Sequence, residues 1–565
     1  MESIYQKFRE IAERHKSRPV VYWRKNRHWH HIHYKELLFL VDYLAESLLA
    51  MGIKQGERVS ILSENRPEWL ASDLAINKIG AVSVPIHTTA NQPLIEYILN
   101  DSGSGFLFVS EACLIKHESF LVLLKEQKPD LKIALFDDSY VLKTDWQKNY
   151  PSIILYSSLI KKTSNSINAP VINELASIVY TSGTTGEPKG VMLSNKNFIH
   201  DALASTARIP VLPSDKFLSF LPLSHVLERT AGSYIPILSG ASIAYAESIK
   251  NLPDNMREVK PTIIISVPRI FEKIQEKIFA KIQLKGHWAK KLFFWSLRQK
   301  HGTIGKRIAD ILIYRKIRKL FGGHLRFAMS GGACINVKVL KFFKNVGVKI
   351  AEGYGLTETS PVSCTNSLEN NKIGTVGPAI NGVMVKIDSD KEILIKGENL
   401  MMGYWQKEDK TKEAINEDGW LKTGDLGFLD YEGYLTVIGR KKDIIVTNNG
   451  KNIFPERIES LLNLSTAINQ SLIVGHKKDS LSALIVPDLE AISQKYSGVK
   501  IDLQKLIEDE ICKVNEQLMA HEVIKKFHLM DRPFTIEAEE LTPTLKIRRH
   551  HIEAKYGGVI DKLYR

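Results

Sequence analysis

The chain has 565 residues, of which 44% are hydrophobic and 25% are charged, a composition typical of globular proteins. This length supports a large core and several units of ~150 residues, so it excludes a disulfide-stapled miniprotein and a mainly disordered chain. The formal net charge of +14 favours phosphates, nucleic acid or an anionic membrane surface as binding partners.

Neither a targeting signal nor a membrane-spanning segment is evident. The amino terminus lacks the cationic head and apolar core of a signal peptide, and no stretch of 18 apolar residues occurs. The four cysteines are scattered without a CxxC pair, which favours a reducing compartment over a zinc or redox site. We therefore expect a cytoplasmic protein, either free or peripheral on the cytosolic face of a membrane.

The first hundred residues alternate between helix and strand signals. Helical periodicity over 37–50 ends before Gly52, and 57–62 is typical of a buried strand. A second helix begins at Pro67, and 80–86 again indicates a strand. Strand, helix and strand at this spacing predict α/β layers with parallel strand pairing.

A glycine- and hydroxyl-rich segment follows the predicted strand 176–179. It reads YTSGTTGEPKG over 180–190 and includes Lys189 near its end. Glycines let backbone N–H groups face a concavity, while hydroxyls and the lysine add donors and positive charge. The segment is therefore predicted to hold phosphate oxygens, although it lacks the GxxxxGK[ST] spacing of a Walker A loop.

This segment resembles the phosphate-binding loop of the adenylate-forming superfamily, which includes acyl-CoA synthetases, peptide-synthetase adenylation domains and luciferases. Further motifs match in the family's order from about residue 20 to 550. The resemblance implies an α/β fold with a large N-terminal domain of layered α/β sheets and helices over 1–439. A small, mobile α+β C-terminal domain is expected over 440–565, where short strands such as 471–474 mix with charged helices.

The resemblance implies a site for ATP and Mg²⁺. In the motif GYGLTET, Tyr354 would stack on adenine, Thr357 would contact the α-phosphate and Glu358 would bind Mg²⁺, which favours carboxylate and phosphate oxygens. Asp425, in the segment WLKTGD, would accept hydrogen bonds from the ribose hydroxyls. The remaining residues that the resemblance places around ATP are Thr181, Ser182, Gly183, Thr184, Thr185, Gly186, Lys189, Gly332 and Arg440.

The C-terminal motifs imply a moving domain. The segment GRKKDII begins at Gly439 and resembles the hinge, in which either Gly439 or Lys442 would change its backbone torsions. Lys546, in the segment LTPTLKIRR, would bridge the substrate carboxylate and the α-phosphate during adenylation. A loop containing Gly450 would replace it at the site when CoA reacts.

The resemblance also implies a pocket for the acyl substrate. By resemblance, His225 in LPLSHVLER lies at the carboxylate end of the acyl pocket. The neighbouring pair Glu228 and Arg229 could equally form an ion pair on a helix surface. Ile265 and Val267 could line a tunnel for an alkyl chain, although a buried strand explains them as well.

The segment 273–320 is a basic amphipathic insert. It holds 14 Lys and Arg residues against two acidic residues, Glu276 and Asp310, with aromatic and aliphatic residues between them. Such interleaving suits an anionic membrane surface, and a solvated helical pair with a cationic face is the alternative.

Together these motifs predict an enzyme of the long-chain fatty acid–CoA ligase branch. ATP and a fatty acid would give acyl-AMP and pyrophosphate, and CoA would then take the acyl group and release AMP. The alternatives are a fatty acyl-AMP ligase, an acyl-[carrier protein] synthetase, and a non-catalytic lipid- or nucleic-acid-binding protein. No RNP, KH or zinc-finger pattern occurs, so we expect no nucleic acid partner.

Overall fold

A computed structural model gives the fold of the chain. It describes residues 2–117, 120, 124, 126, 128–137, 153–161, 171–181, 187–300, 302–496, 501–536, 538–542 and 546–565. Five predicted phosphate-loop residues lie outside the described residues: Ser182, Gly183, Thr184, Thr185 and Gly186.

The strands are distributed along the whole chain. In chain order they are β1 Pro19–Lys25, β2 His28–His33, β3 Arg58–Leu62, β4 Val82–Ile86, β5 Phe106–Val109, β6 Lys132–Leu135, β7 Ile153–Leu155, β8 Leu175–Thr181, β9 Lys189–Ser194, β10 Lys216–Ser219, β11 Ser242–Tyr245, β12 Ile263–Ser266, β13 Phe327–Ser330, β14 Ile350–Tyr354, β15 Cys364–Thr365, β16 Val383–Ile387, β17 Glu392–Gly397, β18 Gly403–Tyr404, β19 Leu421–Leu429, β20 Leu435–Arg440, β21 Ile445–Val446, β22 Asn452–Ile453, β23 Ile468–Val474, β24 Leu481–Pro487 and β25 Ile524–Leu529.

Helices alternate with these strands. In chain order they are α1 Ile4–Arg14, α2 Tyr34–Ala50, α3 Pro67–Lys78, α4 Gln92–Ser102, α5 Glu111–Lys116, α6 Tyr156–Leu159, α7 Asn195–Arg208, α8 Ile235–Leu238, α9 Leu252–Val259, α10 Pro268–Gln283, α11 His287–Leu297, α12 Ile304–Ala309, α13 Arg315–Arg318, α14 Val337–Asn345, α15 Glu408–Ala414, α16 Pro455–Leu462, α17 Leu489–Lys495, α18 Leu503–Asn515, α19 Arg549–Lys555 and α20 Gly557–Tyr564. Two π-helical segments, Glu228–Tyr234 and Asp310–Tyr314, interrupt this pattern.

Two eight-stranded sheets form the larger part of the molecule. One has the order β15-β14-β13-β12-β10-β11-β1-β2 and the other β18-β9-β8-β4-β3-β5-β6-β7. Strands β3 and β4 pair in parallel from Arg58↔Val82 to Leu62↔Ile86, on either side of α3 in the chain. This confirms the predicted α/β fold class and the parallel pairing of the early strands.

The later chain folds into smaller sheets. β16, β17, β19 and β20 form an antiparallel sheet, β21 and β22 form a hairpin, and β23, β24 and β25 form a three-stranded sheet. The apolar residues from Ile445 onward pack into clusters of their own, one of which includes Ile458, Ile473 and Ile507. The C-terminal segment thus has its own hydrophobic core, to which both helices and strands contribute.

Helix α3 lies in the interior of the larger part. Each of its residues except Glu68 is buried, as expected of a helix surrounded by protein on every side. One of these buried residues is Asp73, whose carboxylate accepts hydrogen bonds from the guanidinium of Arg229 and, at 2.6 Å, from the hydroxyl of Tyr234. Arg229 also donates to the hydroxyl of Ser177 in β8 at 2.6 Å.

The surface ion pair considered for Glu228 and Arg229 is wrong. Both side chains are only 1% exposed, because the π-helical segment that carries them is covered by α3, α7 and the strands of both sheets. Arg229 lies over the rings of Trp69 and Phe198, at 5.6 and 5.4 Å from their centroids. Its ion-pair partner is Asp73, which is 156 residues earlier in the chain.

Substituting Asp73 with Ala tests this interior ion pair. Removing one member of a buried pair leaves an uncompensated charge, so we expect a loss of about 3–5 kcal/mol in the free energy of unfolding, read from the urea midpoint. The matched control is Asp254→Ala, which breaks the exposed pair with Arg257 and is expected to cost less than about 1 kcal/mol. Equal losses in both variants would contradict this assignment.

Candidate active site

A broad cleft opens at the carboxyl ends of the parallel strands β12, β13 and β14. Its volume is about 2330 Å³, larger than the roughly 300–1,000 Å³ of most small-molecule sites. Ligands of open α/β sheets bind at this edge. The cleft is lined by the predicted residues Thr181, Lys189, His225, Ile265, Val267, Gly332, Tyr354, Thr357, Glu358, Asp425, Arg440 and Lys546.

Three of these residues form one polar cluster. The Tyr354 hydroxyl donates to Oδ2 of Asp425 at 2.8 Å, and Nε of Arg440 lies 3.0 Å from Oδ1 of the same carboxylate. Asp425 and Arg440 are cross-strand neighbours in β19 and β20, which explains their contact. Burial raises the pKa of Asp425, whereas Arg440 and Tyr354 lower it. The cluster therefore presents a buried carboxylate beside an aromatic ring and a fixed cation.

A second cluster includes Lys189, near the end of the glycine-rich segment. The Tyr404 hydroxyl donates to Oε1 of Glu358 at 2.9 Å, and Nζ of Lys189 lies 4.5 Å from the centroid of the Tyr404 ring. Lys189 pairs with Thr181 where β8 and β9 enclose the loop. Burial lowers the pKa of Lys189, and Glu358 opposes this shift. A lysine and a carboxylate thus line the same part of the cleft as Tyr404.

Lys546 enters the cleft from the C-terminal end of the chain. Its backbone nitrogen donates to Oγ1 of Thr542 at 3.1 Å, which closes the turn that carries it. The surrounding protein lowers the pKa of its ammonium group, Arg440 lowers it further, and Asp425 raises it. Lys546 also contributes to the lowered pKa of His225. Its charge therefore acts on both the polar cluster and the histidine.

His225 has a second histidine as its neighbour. The ring centroids of His87 and His225 are 6.3 Å apart, and the His87 Nδ1 lies 2.8 Å from the hydroxyl of Ser224. Burial lowers the pKa of His87 to about 4 and that of His225 to about 3. Both rings are neutral at physiological pH, so they provide hydrogen-bonding groups without a positive charge.

The wall beyond His225 is apolar. Ile263 and Ile265 of β12 face the cleft, while Ile264 packs into the cluster on the other face of the sheet. Side chains alternate between the two faces of a strand. Both interpretations of β12 are therefore compatible, because one face packs in the core and the other lines the cleft. Ala231 and Ile235 of the π-helical region and the following helix complete this wall.

Two predicted glycines differ in position. Gly332 lines the cleft, two residues after the end of strand β13. Its φ of +80° is a conformation that favours glycine. Gly450 lies in the exposed turn between β21 and β22 and is not among the residues that line the cleft. The predicted role of Gly450 in the reaction with CoA thus requires a different arrangement of the C-terminal segment.

Sequence reasoning missed two residues that hold predicted ones in place. His87 follows the buried strand β4, at the carboxyl edge where ligands bind, and this position was a usable signal. Tyr404 lies in the two-residue strand β18, 46 residues after the carboxylate that it contacts. No local pattern identifies such a tyrosine, because its role depends on the pairing of β18 with β9.

The oxygen donors in the cleft fit a magnesium ion. Oε1 of Glu358 accepts from Tyr404, and Oε2 has no hydrogen-bond partner among the described residues. Within the part of the chain that the structure describes, no group of three or more His, Cys, Asp or Glu could hold a metal ion. A single carboxylate oxygen is what Mg²⁺ requires of a protein when substrate phosphates supply the other ligands.

A buried carboxyl group lies in the same π-helical segment as Ala231 of the apolar wall. Glu228 begins the π-helical segment, and neither of its carboxyl oxygens has a hydrogen-bond partner among the described residues. A Cβ atom at Gly232 would lie 2.3 Å from Oε1, so the carboxyl group packs directly against this glycine. Burial raises the pKa of Glu228 to about 8. The group is therefore mostly uncharged at neutral pH.

Comparison with known proteins places these features in a family. Residues 8–405 match the AMP-binding enzyme family, and residues 442–565 match the AMP-binding enzyme C-terminal domain. A long-chain-fatty-acid–CoA ligase of Mycobacterium bovis is 34% identical over 553 residues, covering 92% of this chain and 90% of the relative. Long-chain-fatty-acid–CoA ligase 5 of Rattus norvegicus is 30% identical over 608 residues, covering 100% and 88%.

Solved structures share the fold. The adenylation domain of a carboxylate reductase from Mycobacterium chelonae has a TM-score of 0.83 at 22% identity, covering 100% of this chain and 91% of that one. An o-succinylbenzoate CoA synthetase from Bacillus subtilis, solved with its acyl-adenylate intermediate, has a TM-score of 0.72 at 22% identity, covering 98% of each chain.

The variant Glu228→Gln tests the buried carboxyl group. The folded protein holds the proton of Glu228 up to pH about 8, whereas the unfolded chain releases it near the ordinary value of 4.5. Folding stability of the wild type therefore falls as pH rises between these values, and the Gln variant lacks this loss.

Thermal midpoints of both proteins from pH 5 to pH 9 measure the effect. As pH rises, we expect the free energy of unfolding of Glu228→Gln to increase relative to that of the wild type. The increase should be about 1.4 kcal/mol for each unit by which folding raises the pKa of Glu228, and it should be complete above pH ~8. A constant difference across this range would contradict a buried, proton-retaining Glu228.

Proposed function

The chain belongs to the AMP-binding enzyme family, and from this premise we propose that it is a long-chain fatty acid–CoA ligase. It activates a long-chain fatty acid with ATP, forming acyl-AMP and pyrophosphate, and transfers the acyl group to CoA with release of AMP. The observation that carries this function is the junction of the polar cluster at Asp425 with the apolar wall at Ile265, with Lys546 reaching the junction.

The first half-reaction joins two anions. The fatty acid carboxylate attacks the α-phosphorus of ATP, a bond to the bridging oxygen breaks, and pyrophosphate leaves. Asp425 and Tyr354 bind the nucleoside, and Lys546 holds the carboxylate against the α-phosphate through its positive charge. Lys189 and the glycine-rich loop bind the outer phosphates. Fixed cations around developing negative charge provide the main rate enhancement in such a site.

The neutral histidines suit this reaction. An imidazolium near the acyl carboxylate would compete with Lys546 for the same anion and hold it away from phosphorus. Burial keeps His225 and His87 uncharged, so the carboxylate pairs with the lysine. The hydroxyl group of Thr357 donates a hydrogen bond to the α-phosphate. Glu358 would hold Mg²⁺, which when bound neutralises phosphate charge.

The second half-reaction requires the C-terminal segment to move. We place the domain boundary at residue 440, so that 1–439 is one domain and 440–565 the other, and the rotation begins a few residues into the second domain. Nζ of Lys441 is bonded to Glu392 at 2.8 Å and to Asp390, so Lys441 moves with the first domain. Gly439 has an extended φ of +159°, which does not require glycine, and we infer that the torsions change beyond Lys441. The pivot is therefore Lys442, and its rotation brings Gly450 to the site for CoA.

Pyrophosphate release with ATP, Mg²⁺ and palmitate, measured with and without CoA, tests this function. We expect continuous turnover only with CoA. A stoichiometric burst that CoA does not extend would indicate transfer to a carrier protein instead. Absence of pyrophosphate with every fatty acid tested would contradict the proposal.

The variant Lys546→Ala tests the role of the lysine in the same assay. Loss of a charge that contacts the reacting groups is expected to reduce adenylation by about 10²–10³-fold. Lys525→Ala, which removes an exposed lysine from β25, is the matched control and is expected to retain wild-type turnover. Unchanged turnover in Lys546→Ala would show that this lysine does not act on the substrates.

The basic insert 273–320 forms a surface suited to an anionic membrane. Of the 23 exposed large hydrophobic side chains in the described part of the chain, ten lie between residues 284 and 320. This concentration is unlike the scattered exposure of ordinary surfaces. The structure contains no helix, within its described residues, that is long and apolar enough to cross a bilayer. We propose that the insert lies on the membrane surface.

Two neighbouring helices present the apolar side chains in stripes. Positions i, i+4 and i+7 of α11 carry Trp288, Leu292 and Trp295, and the same spacing from α12 onward carries Ile304, Ile308 and Ile311. A Cβ atom at Gly305 would lie 3.4 Å from the Trp295 ring, so the two stripes adjoin. We call these six residues the interfacial face.

Basic side chains flank the interfacial face. Lys290 and Lys291 follow Trp288 in α11, and the ammonium of Lys291 lies 5.7 Å from the Trp288 ring centroid. Arg307 lies in α12, whereas the ammonium of Lys306 in the same helix is bonded within the protein, to the carbonyl oxygen of Asn345 at 2.6 Å. Apolar side chains that enter the headgroup region between cations would bind anionic lipid, and long-chain fatty acids partition into that same phase.

Cosedimentation with vesicles tests the interfacial face. The double variant Trp288→Ser/Ile304→Ser is expected to bind vesicles of phosphatidylglycerol and phosphatidylcholine at least tenfold more weakly, given ~1.5–3 kcal/mol per large apolar side chain. Tyr431→Ser is the control, because Tyr431 is 95% exposed elsewhere on the surface.

Two results would contradict membrane binding by this face. One is wild-type protein that fails to sediment with anionic vesicles at low salt. The other is a concentration-dependent dimer, measured without vesicles, that the double variant abolishes, because the face would then be a contact between two copies of the chain.

A further inference from the structure

The side chain of Arg269 connects the first turn of α10 to the C-terminal segment. Its Nη1 donates to the carbonyl oxygen of Asn463 at 3.3 Å, and its Nη2 donates to that of Asn469 at 3.0 Å. These acceptors are 194 and 200 residues later in the chain. The guanidinium thus joins the domain that holds the substrates to the one that carries Lys546.

Both carbonyl groups are available for local structural reasons. Asn463 is the C-cap of α16, where terminal carbonyls lack intrahelical donors and carry the negative end of the helix dipole. Asn469 lies where the register between β23 and β24 shifts, between Ile468 and Gln470. A planar guanidinium with several fixed donors can satisfy both acceptors at once, which an ammonium group cannot do in the same geometry.

Acidic side chains surround the guanidinium. Nη1 of Arg269 lies 3.6 Å from Glu272 and 3.7 Å from Glu276, both in α10. Burial raises the pKa of each glutamate, and Arg269 lowers it. Asp488, from the C-terminal segment, raises the pKa of Glu276 and therefore lies near it, while Lys273 lowers it. Without Arg269, carboxylates from both domains would repel each other across the junction.

A continuous set of contacts leads from this junction to Lys546. One turn before Asn463 in α16, Oε1 of Glu459 accepts from Nη2 of Arg549 at 2.6 Å and from the backbone nitrogen of Ile473 at 2.7 Å. Arg549 also donates to the carbonyl oxygen of Ile473 at 2.6 Å. Lys546 is three residues before Arg549 in the chain. Helix α16 is therefore fixed to Arg269 at its end and to the Lys546 segment through Glu459.

We propose that Arg269 is a positioning residue for adenylation, which holds α16, and through it Lys546, in the arrangement that reaches the cleft. This inference depends on the proposed role of Lys546 in the first half-reaction. Arg269 itself contacts neither nucleotide nor fatty acid in this assignment. It stabilises one arrangement of the two domains, so its loss should affect the step that uses Lys546 and spare the step that does not.

The two half-reactions, measured separately, test the proposal. Adenylation is followed as pyrophosphate release in a single turnover, and acyl transfer as AMP release from preformed palmitoyl-AMP and CoA. We expect Arg269→Gln to slow adenylation by about 10–100-fold and to change acyl transfer by less than about threefold, with Arg269→Lys between it and the wild type. In a Lys546→Ala background, Arg269→Gln should cause no further loss, because both substitutions remove the same interaction.

Arg24→Gln is the matched control, because Arg24 is also held by two glutamates, Glu247 and Glu258, but lies within the first domain at β1. It should leave both half-reactions unchanged. Equal slowing of both half-reactions by Arg269→Gln, or additive losses in the double variant, would mean that Arg269 is merely structural and would overturn the proposal.

If the wild type shows no turnover, the proposed function is contradicted but the role of Arg269 is not. Hydrogen exchange without substrates then tests the Arg269 contact directly. Arg269→Gln should increase amide exchange in α16 and at the beginning of β23 several-fold, and Arg24→Gln should not. Unchanged exchange in these two elements would also overturn the proposal.

Discussion

The ion pair between Arg229 and Asp73 joins the π-helical segment to the interior helix α3. A guanidinium that is nearly inaccessible to solvent must be compensated, and it receives a carboxylate from α3, hydroxyls from Tyr234 and Ser177, and aromatic faces around it. These partners come from the interior helix, the π-helical segment and β8. The pair therefore fixes the π-helical segment at one position, and the same segment forms the wall of the acyl side of the cleft through Ala231.

Charge in the cleft is separated along its length. One end of the cleft holds the polar side chains of Asp425, Arg440 and Glu358, while the other end has neutral histidines and apolar side chains. A fatty acid has the same asymmetry, with one anionic end and a long apolar tail. Lys546 lies where the two environments meet, so a single mobile charge can serve the only polar group of that substrate. Glu228, buried behind the acyl wall, preserves this neutrality by retaining its proton.

The position of Lys546 depends on contacts between distant parts of the chain. Its own backbone turn is local, but the helix that supports it is held by Glu459 and Arg549 on one side and by Arg269 on the other. Because these contacts are few and polar, they can be exchanged without exposing a hydrophobic core. That property suits the domain rotation proposed above.

The sequence by itself determined the fold class, the early parallel strands and the residues that line the cleft. These follow from short motifs whose glycines, hydroxyls and charges act within a few residues of each other, and from a resemblance that extends along most of the chain. The sequence could not reveal that Arg229 is buried or that Tyr404 holds Glu358. Nor could it show that Arg269 bonds to carbonyls 194 and 200 residues away. Such contacts depend on how the sheets and helices pack, since burial and pairing belong to the folded chain and leave no local pattern in the residues that make them.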